Sequence, residues 1–346
     1  NNGTSSTGVP LGLIDQFLHV FRADFESGNP ELMFGYEAAF GDGSISNGNY
    51  EYTLNQPHGS SARTACCGFF QPSQNLANSY KTENGLPLPS RFNESDIADD
   101  EGVPADAAFT PEQGDLDTRI DWTIGRRGIP FMDWGMNPGS TSGWVRNVVN
   151  GGIYNPVKSV PSFAEFDAQL AGVINWGFTS SAKNVHIIRF ADVLLMAAET
   201  EAELGNLGPA TTYVNQVRAR AANPDGFVMN DDGSPAANYV IAEYPAFGSQ
   251  AEALTAIRFE RKIELAMEGH RMFDIVRWSE NSGSSALAFD GVAFMNDYLS
   301  TEQQKRRHLA GASFATKDFY QPIPVQAITT STVEGVQNIT QNPGYN

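Results

Sequence analysis

The segment Ile257 to Trp278, IRFERKIELAMEGHRMFDIVRW, constrains the fold of this chain more than any other. Glu260, Arg261, Glu264, Glu268, Arg271, Asp274 and Arg277 are interleaved with Phe259, Ile263, Ala266, Met267, Phe273, Ile275 and Val276. A surface helix carries one apolar stripe and one polar face. Here apolar groups recur on more than one face, so some of the charges must be enclosed, and an enclosed charge must be paired. Glu260, Glu264 and Glu268 stand at i, i+4 and i+8 with His270 close by, an arrangement that acid–base or metal chemistry also uses. Carboxylates four residues apart repel unless neutralised, and Arg261, Arg271 and Arg277 lie nearby. The block therefore reads as salt-bridged architecture. The chain has no HExxH pair, nucleophile elbow or phosphate-cradling Gly loop, so no catalytic residue, cofactor or metal site is expected.

Regular helix is predicted on both sides of a long irregular region. Residues 1–16 read as a lead-in, and Gln16–Phe40 as a helix, a turn at Ser27–Pro30 and the strand-like LMFGYEAAF. From 41 to 183 periodicity collapses into Gly, Asn, Ser and Pro with scattered aromatics, a composition typical of functional loops. Ile187, Phe190, Ala191, Leu194, Leu195, Ala198 and Ala202 then follow helical spacing. Gly205 and Gly208 end that helix, and Pro209 opens a second one, with Tyr213, Val214, Val217 and Ala221 on one face. Two helices joined by a short Gly-bearing turn make a tetratricopeptide-like hairpin. The helical repeat region is placed at 187–280, broken at Gly269. The proline-bounded FYQPIPVQAI and QNITQNPGYN read as extended tail segments.

The 346 residues carry a net charge of −18 and a calculated pI near 4.6. This excludes nucleic acid as the natural partner, because phosphate recognition needs a basic footprint. No run reaches the ~20 apolar residues of a membrane-spanning helix. The two cysteines, Cys66 and Cys67, are adjacent. Their Cα atoms lie ~3.8 Å apart, shorter than an ordinary disulfide uses. They read either as two reduced thiols or as a rigid vicinal disulfide lining a binding surface. The acidic cluster Glu94, Asp96, Asp99, Asp100 and Glu101 lacks the spacing of a Ca²⁺ loop and reads as a solvated loop.

Several separated stretches, in order, carry a resemblance. NLANSYKTENGLPL (75–88), DTRIDWTIGRRG (117–128, read as a strand), IIRFADVLLMAAETEAELG (187–205), VNQVRARA (214–221), ERKIELAMEGHRMFDIVRW (260–278), YQPIPVQAI (320–328) and QNPGY (341–345) resemble the SusD/RagB family of Bacteroidetes surface glycan-binding lipoproteins. The resemblance implies a mostly α, SusD-like fold: tetratricopeptide-like helical hairpins plus a large loop-rich region with short strands, in a single domain over 1–346. It also implies a non-catalytic protein that binds oligosaccharide or polysaccharide at the cell outer membrane and partners a SusC-like TonB-dependent transporter. The lipidated cysteine and first helical repeats with which members begin have no counterpart here. The chain is thus expected to be the C-terminal portion of a longer protein, with lipid anchoring implied by the family alone.

A pyranose offers an apolar face to aromatic rings and a rim of hydroxyls to planar polar groups. The expected binding residues lie in the loop-rich region, between Tyr50 and Trp176. Trp134 and Trp144, in FMDWGMNPGSTSGWVRN, belong to no core pattern, and Asp133, Arg146 and Asn147 are their polar neighbours. Arg63, Cys66, Cys67, Phe69 and Phe70, in RTACCGFFQ, form a second candidate cluster, and Trp176 is a further aromatic in NWGF. Trp122 alternates with Ile120 and Ile124 and is expected in the core, as are Trp278 and the turn anchor Tyr80. Aromatic loops and an acidic protein together favour a neutral glycan. Two other readings are a helical-repeat scaffold that binds only protein and a glycoside hydrolase, which would need paired carboxylates across a cleft.

Overall fold

A computed structural model describes residues 3–43, 54–59, 67–173 and 178–345. The chain falls into two compact units, residues 1–271 and 272–346. It is mostly helical, with short paired strands.

The first unit is organised by the hairpin Phe190–Glu203 and Leu207–Ala221, against which the helix Gln250–Glu264 packs. Ala191, Leu195, Ala198 and Ala202 meet Ala210, Val214 and Val217, all fully buried. Small alanines on facing helices allow close approach, and each buried Leu or Val contributes about 1.5–3 kcal/mol of transfer free energy. Pro209 lies in the first turn of its helix, where a missing N–H costs nothing. The predicted start at Ile187 is three residues early. Val185–Arg189 is a strand, rich in β-branched residues, that pairs antiparallel with Leu32–Tyr36. The helix expected after Gln16 is two short 3₁₀ turns, Phe17–Phe21 and Ala23–Phe25.

The enclosed charges are real, but their partners differ from those expected. Glu260, Glu264, Glu268, Asp117 and Glu31 interlock with Arg119, Arg189, Arg218, Arg220 and Lys158, five anions against five cations. Glu264 Oε2 accepts from Arg119 Nη1 at 2.8 Å, and its Oε1 accepts from Arg189 Nη1 at 2.6 Å and from Arg220. The arginines of the block itself look elsewhere. Arg261 holds Asp192 at 2.7 Å and Arg277 holds Asp274 at 3.0 Å. Although burial opposes ionisation, the surrounding guanidinium groups hold the Glu264 and Glu268 carboxyls below the usual range. The carboxylates that looked like a reactive row are committed to architecture.

The irregular stretch between the strand Leu32–Tyr36 and the hairpin is built onto this frame. Tyr80, Ile97, Leu116, Ile120, Ile124 and Tyr154 pack with Phe259 and Ile263, and the Tyr80 hydroxyl donates to Ile263 O at 2.9 Å. Tyr80 is therefore the anchor expected of it. Trp122 is buried against Phe17, Val20 and Phe21 and donates to Gly226 O at 2.6 Å. Its segment, however, is a short helix, Arg119–Thr123, followed by the strand Ile124–Gly125, and not one continuous strand. Three apolar residues at period two are too few to distinguish a strand from one helical turn that is buried on every side.

In the second unit Trp278 is buried edge-on against Phe289 at 5.7 Å, a structural role as expected. The tail is not wholly extended. Val325–Thr330 is a helix with Pro324 at its N-cap, since a proline that cannot sit inside a helix can precede one. Gln341 closes the terminal motif by bonding both the N–H and the carbonyl of Ile323, at 2.8 and 2.9 Å.

Candidate functional site

The two loop clusters separated by some seventy residues in sequence meet in the first unit. His58 N donates to Trp144 O at 2.7 Å, Gly68 N to Gln56 O at 2.9 Å and Phe69 N to Leu54 O at 3.2 Å. The buried Gln56 side chain donates to Ser159 O at 3.0 Å, and Gln71 Nε2 to Gly152 O at 2.9 Å. Backbone groups of an irregular loop need partners, and here they come partly from within residues 54–69 and partly from residues 144–159.

This bracing turns two aromatic rings outward. Phe69 and Phe70 are 47% and 49% exposed. Phe70 has φ +57°, a left-handed conformation that costs a non-glycine residue about 1–2 kcal/mol. Strain of that size persists where the surroundings impose it, and it concentrates at functional surfaces. The preceding Gly68 is also left-handed, φ +72°, and a Cβ there would lie 2.7 Å from Cβ of Arg146. Only glycine admits that close approach.

Arg146 completes the platform. Its guanidinium sits 4.7 Å above the Phe69 ring centroid, and Nη1 donates to Cys67 O at 3.2 Å. The side chain is exposed. Asn147, also exposed, caps the short helix Val148–Gly151 by accepting from Asn150 N at 3.1 Å, which leaves its amide NH₂ group outside that bond. Phe69 and Arg146 thus form a stacked pair, with the exposed Phe70 and Asn147 next to them in the chain.

The two tryptophans expected to stack on ligand are less exposed than these phenylalanines. Trp144 is 6% exposed and packs in a cluster with Phe131, Val157 and Val160, with Trp134 edge-on at 5.7 Å. Its carbonyl takes hydrogen bonds from both His58 N and Asn155 Nδ2. It is a pillar for the loop, and no ring face remains for a sugar. Trp134 is partly buried, stacked on Phe163 at 5.1 Å, and donates to Pro161 O at 3.2 Å. Asp133 caps the helix Phe163–Asp167, accepting from Phe163 N and Ala164 N at 2.8 Å each. Trp144 is thus a core residue and Trp134 a half-buried one; irregular sequence conceals core packing that has no periodicity.

Cys67 is buried and disulfide-bonded, so it is not one of two reduced thiols, and its carbonyl serves the platform through Arg146. Arg63, Cys66 and Trp176 lie outside the described residues. Sequence reasoning missed Gln56 and His58, whose contribution is bracing. Polar residues in a loop carry no signal that distinguishes a brace from a solvated side chain. Among the described residues no group of three or more His, Cys, Asp or Glu is placed to hold a metal ion, and no helix is long and apolar enough to cross a membrane.

Comparison with known proteins follows the same lines. The model of the SusD family matches residues 30–345. SusD-like protein P25 of Formosa agariphila is 39% identical over 93 residues, 27% of this chain and 15% of that protein. Surface glycan-binding protein A from Bacteroides uniformis superposes with a TM-score of 0.56 at 18% identity, over 96% of this chain and 52% of that one. Surface glycan-binding protein A from Bacteroides thetaiotaomicron in complex with laminarihexaose gives 0.51 at 18% identity, over 96% and 56%. The chain therefore spans about half the length of these solved structures, which share its fold.

Proposed function

Because the chain belongs to the SusD family, we propose that it is a non-catalytic, cell-surface glycan-binding protein whose platform is Phe69, Phe70, Arg146 and Asn147. In this reading it works with a SusC-like TonB-dependent transporter in nutrient uptake and is held at the outer membrane by a lipid anchor outside these residues. The observation that carries the proposal is the platform itself: two half-exposed rings, one in a strained conformation, fixed by loop hydrogen bonds. Sugar rings stack on such faces, and preorganisation lowers the ordering cost of binding. Fold kinship with surface glycan-binding proteins supports the same reading. The absence of a catalytic role is supported by the full commitment of Glu260, Glu264 and Glu268 to arginine and lysine partners.

The test is affinity electrophoresis and calorimetry against a glycan panel for the native chain and for Phe69→Ala, Phe70→Ala and Trp134→Ala. Loss of a stacking ring costs on the order of 1 kcal/mol, about fivefold in Kd. That loss is expected for the two phenylalanines and not for Trp134. No binding to any glycan, with a transporter co-purifying, would replace this reading by a protein-binding scaffold. Release of shortened sugars would replace it by a hydrolase.

A further inference from the structure

The platform lies in two stretches of unusual charge. The chain carries 40 Asp and Glu in 346 residues, yet neither Leu54–Thr82 nor Trp134–Ala164 contains one. These stretches span 29 and 31 residues, and at the chain's average density they would share about seven. Arg146 stands within the second. Elsewhere in the first unit Arg22, Arg91, Arg126 and Arg261 lie 2.7–2.8 Å from a carboxylate oxygen. Arg146 pairs with no carboxylate among the described residues; it holds a carbonyl oxygen and a ring face.

We propose, building on the glycan-binding reading, that this platform selects glycans bearing carboxylate or sulfate groups, and that Arg146 is the residue that reads the anion. A guanidinium has five N–H donors in a rigid fork shaped for planar or tetrahedral oxyanions. Stacking on Phe69 fixes the plane of that fork, and among the described residues only the bond to Cys67 O occupies one of its donors. The net charge of −18 argues for a neutral glycan only if it acts over long range. The Debye length is ~8 Å at physiological ionic strength, so distant carboxylates are screened and the groups that Arg146 itself touches, the Cys67 carbonyl and the Phe69 ring, decide. The expectation of a neutral ligand followed the average charge of the chain, and the platform departs from that average.

The experiment compares three probes by calorimetry: a galacturonate hexasaccharide, the same oligosaccharide after carboxyl reduction, and a sulfated galactan hexasaccharide. The native chain and Arg146→Gln, Arg146→Lys and Phe69→Ala are tested at low and high salt. Arg146 is exposed, so its variants are expected to fold, and circular dichroism checks this. At least one acidic probe is expected to bind about tenfold or more tighter than the reduced one, and which acidic probe wins separates carboxylate from sulfate. Arg146→Gln is expected to weaken the favoured acidic probe about tenfold more than the reduced one, so that the preference disappears. Arg146→Lys should restore it in part and with stronger salt dependence, because it keeps the charge without the fork. Equal or tighter binding of the reduced probe, or an Arg146→Gln effect equal on all probes, overturns the inference while glycan binding stands. Failure of every probe and of the neutral panel overturns both.

Discussion

Glu264→Gln is the sharpest test of the ionic core. The substitution keeps volume and one acceptor oxygen but removes the charge that faces Arg119, Arg189 and Arg220. All four side chains are at most 3% exposed, so water does not replace the lost partner. Breaking one buried pair costs about 3–5 kcal/mol. Three such losses do not add, because each arginine keeps another anion: Arg119 keeps Asp117 and Glu260, Arg189 keeps Glu31 and Glu268, and Arg220 keeps Glu31. What remains is one uncompensated positive charge in a cluster of otherwise equal signs, so the expected cost stays at about 3–5 kcal/mol. At about 2–4 °C per kcal/mol for a unit of this size, Tm should fall by roughly 6–20 °C. Differential scanning calorimetry measures it. Charge balance in the cluster sets a second requirement. Lys158 is the most easily neutralised cation of the cluster, since burial pushes it down to about 8. Lys158→Met should therefore destabilise the Glu264→Gln background less than it destabilises the native chain, a coupling a double-mutant cycle reads directly. A Tm drop below about 3 °C, or strictly additive effects, would refute the reasoning.

Two further outcomes follow from the same structure. Burial pushes both Lys158 and Lys183 down to about 8, so between pH 8 and the ordinary lysine value near 10.5 the unfolded chain binds more protons and stability rises with pH; the buried Tyr80, Tyr154, Tyr239 and Tyr244 are raised above 10 and reverse the trend above that pH. Denaturant titrations should accordingly show a stability maximum between about pH 8 and 10, and a monotonic fall from neutrality would contradict it. Gly68→Ala places a Cβ 2.7 Å from that of Arg146 at φ +72° and should weaken glycan binding about as much as Phe69→Ala does, roughly fivefold, with Tm lowered by only a few degrees; unchanged affinity would show that the Gly68–Arg146 contact does not set the platform.

The legible parts were those with a period or with a cost. Helical spacing exposed the hairpin and its buried alanines, because a helix advertises one face every 3.6 residues. Charge beside apolar bulk exposed the need for pairing, because an unpaired buried charge is too costly to keep. Neither signal named the partners: the guanidinium groups that hold Glu260 and Glu264 come from Arg119, Arg189, Arg218 and Arg220, which only the fold brings near. In the loops the failure was sharper. Trp144 and Phe69 sit in equally irregular surroundings, yet one is 6% and the other 47% exposed. Larger rings invited the expectation that tryptophan faces outward, whereas Trp144 is in the core and Phe69 is on the surface.

By itself, then, the sequence determined the family, the helical hairpin with the helix that packs on it, and the fact that the Ile257–Trp278 charges must be neutralised; the helix Gly291–Lys305 was not foreseen. Each is a local or compositional requirement that holds whatever the rest of the chain does. The tertiary structure decided which cation meets which carboxylate, and which aromatic faces outward. It also set two distant acid-free stretches against one another as a single surface. Those outcomes depend on contacts between residues 79 to 189 positions apart, whose pairing is set by long-range packing and leaves no mark in local periodicity.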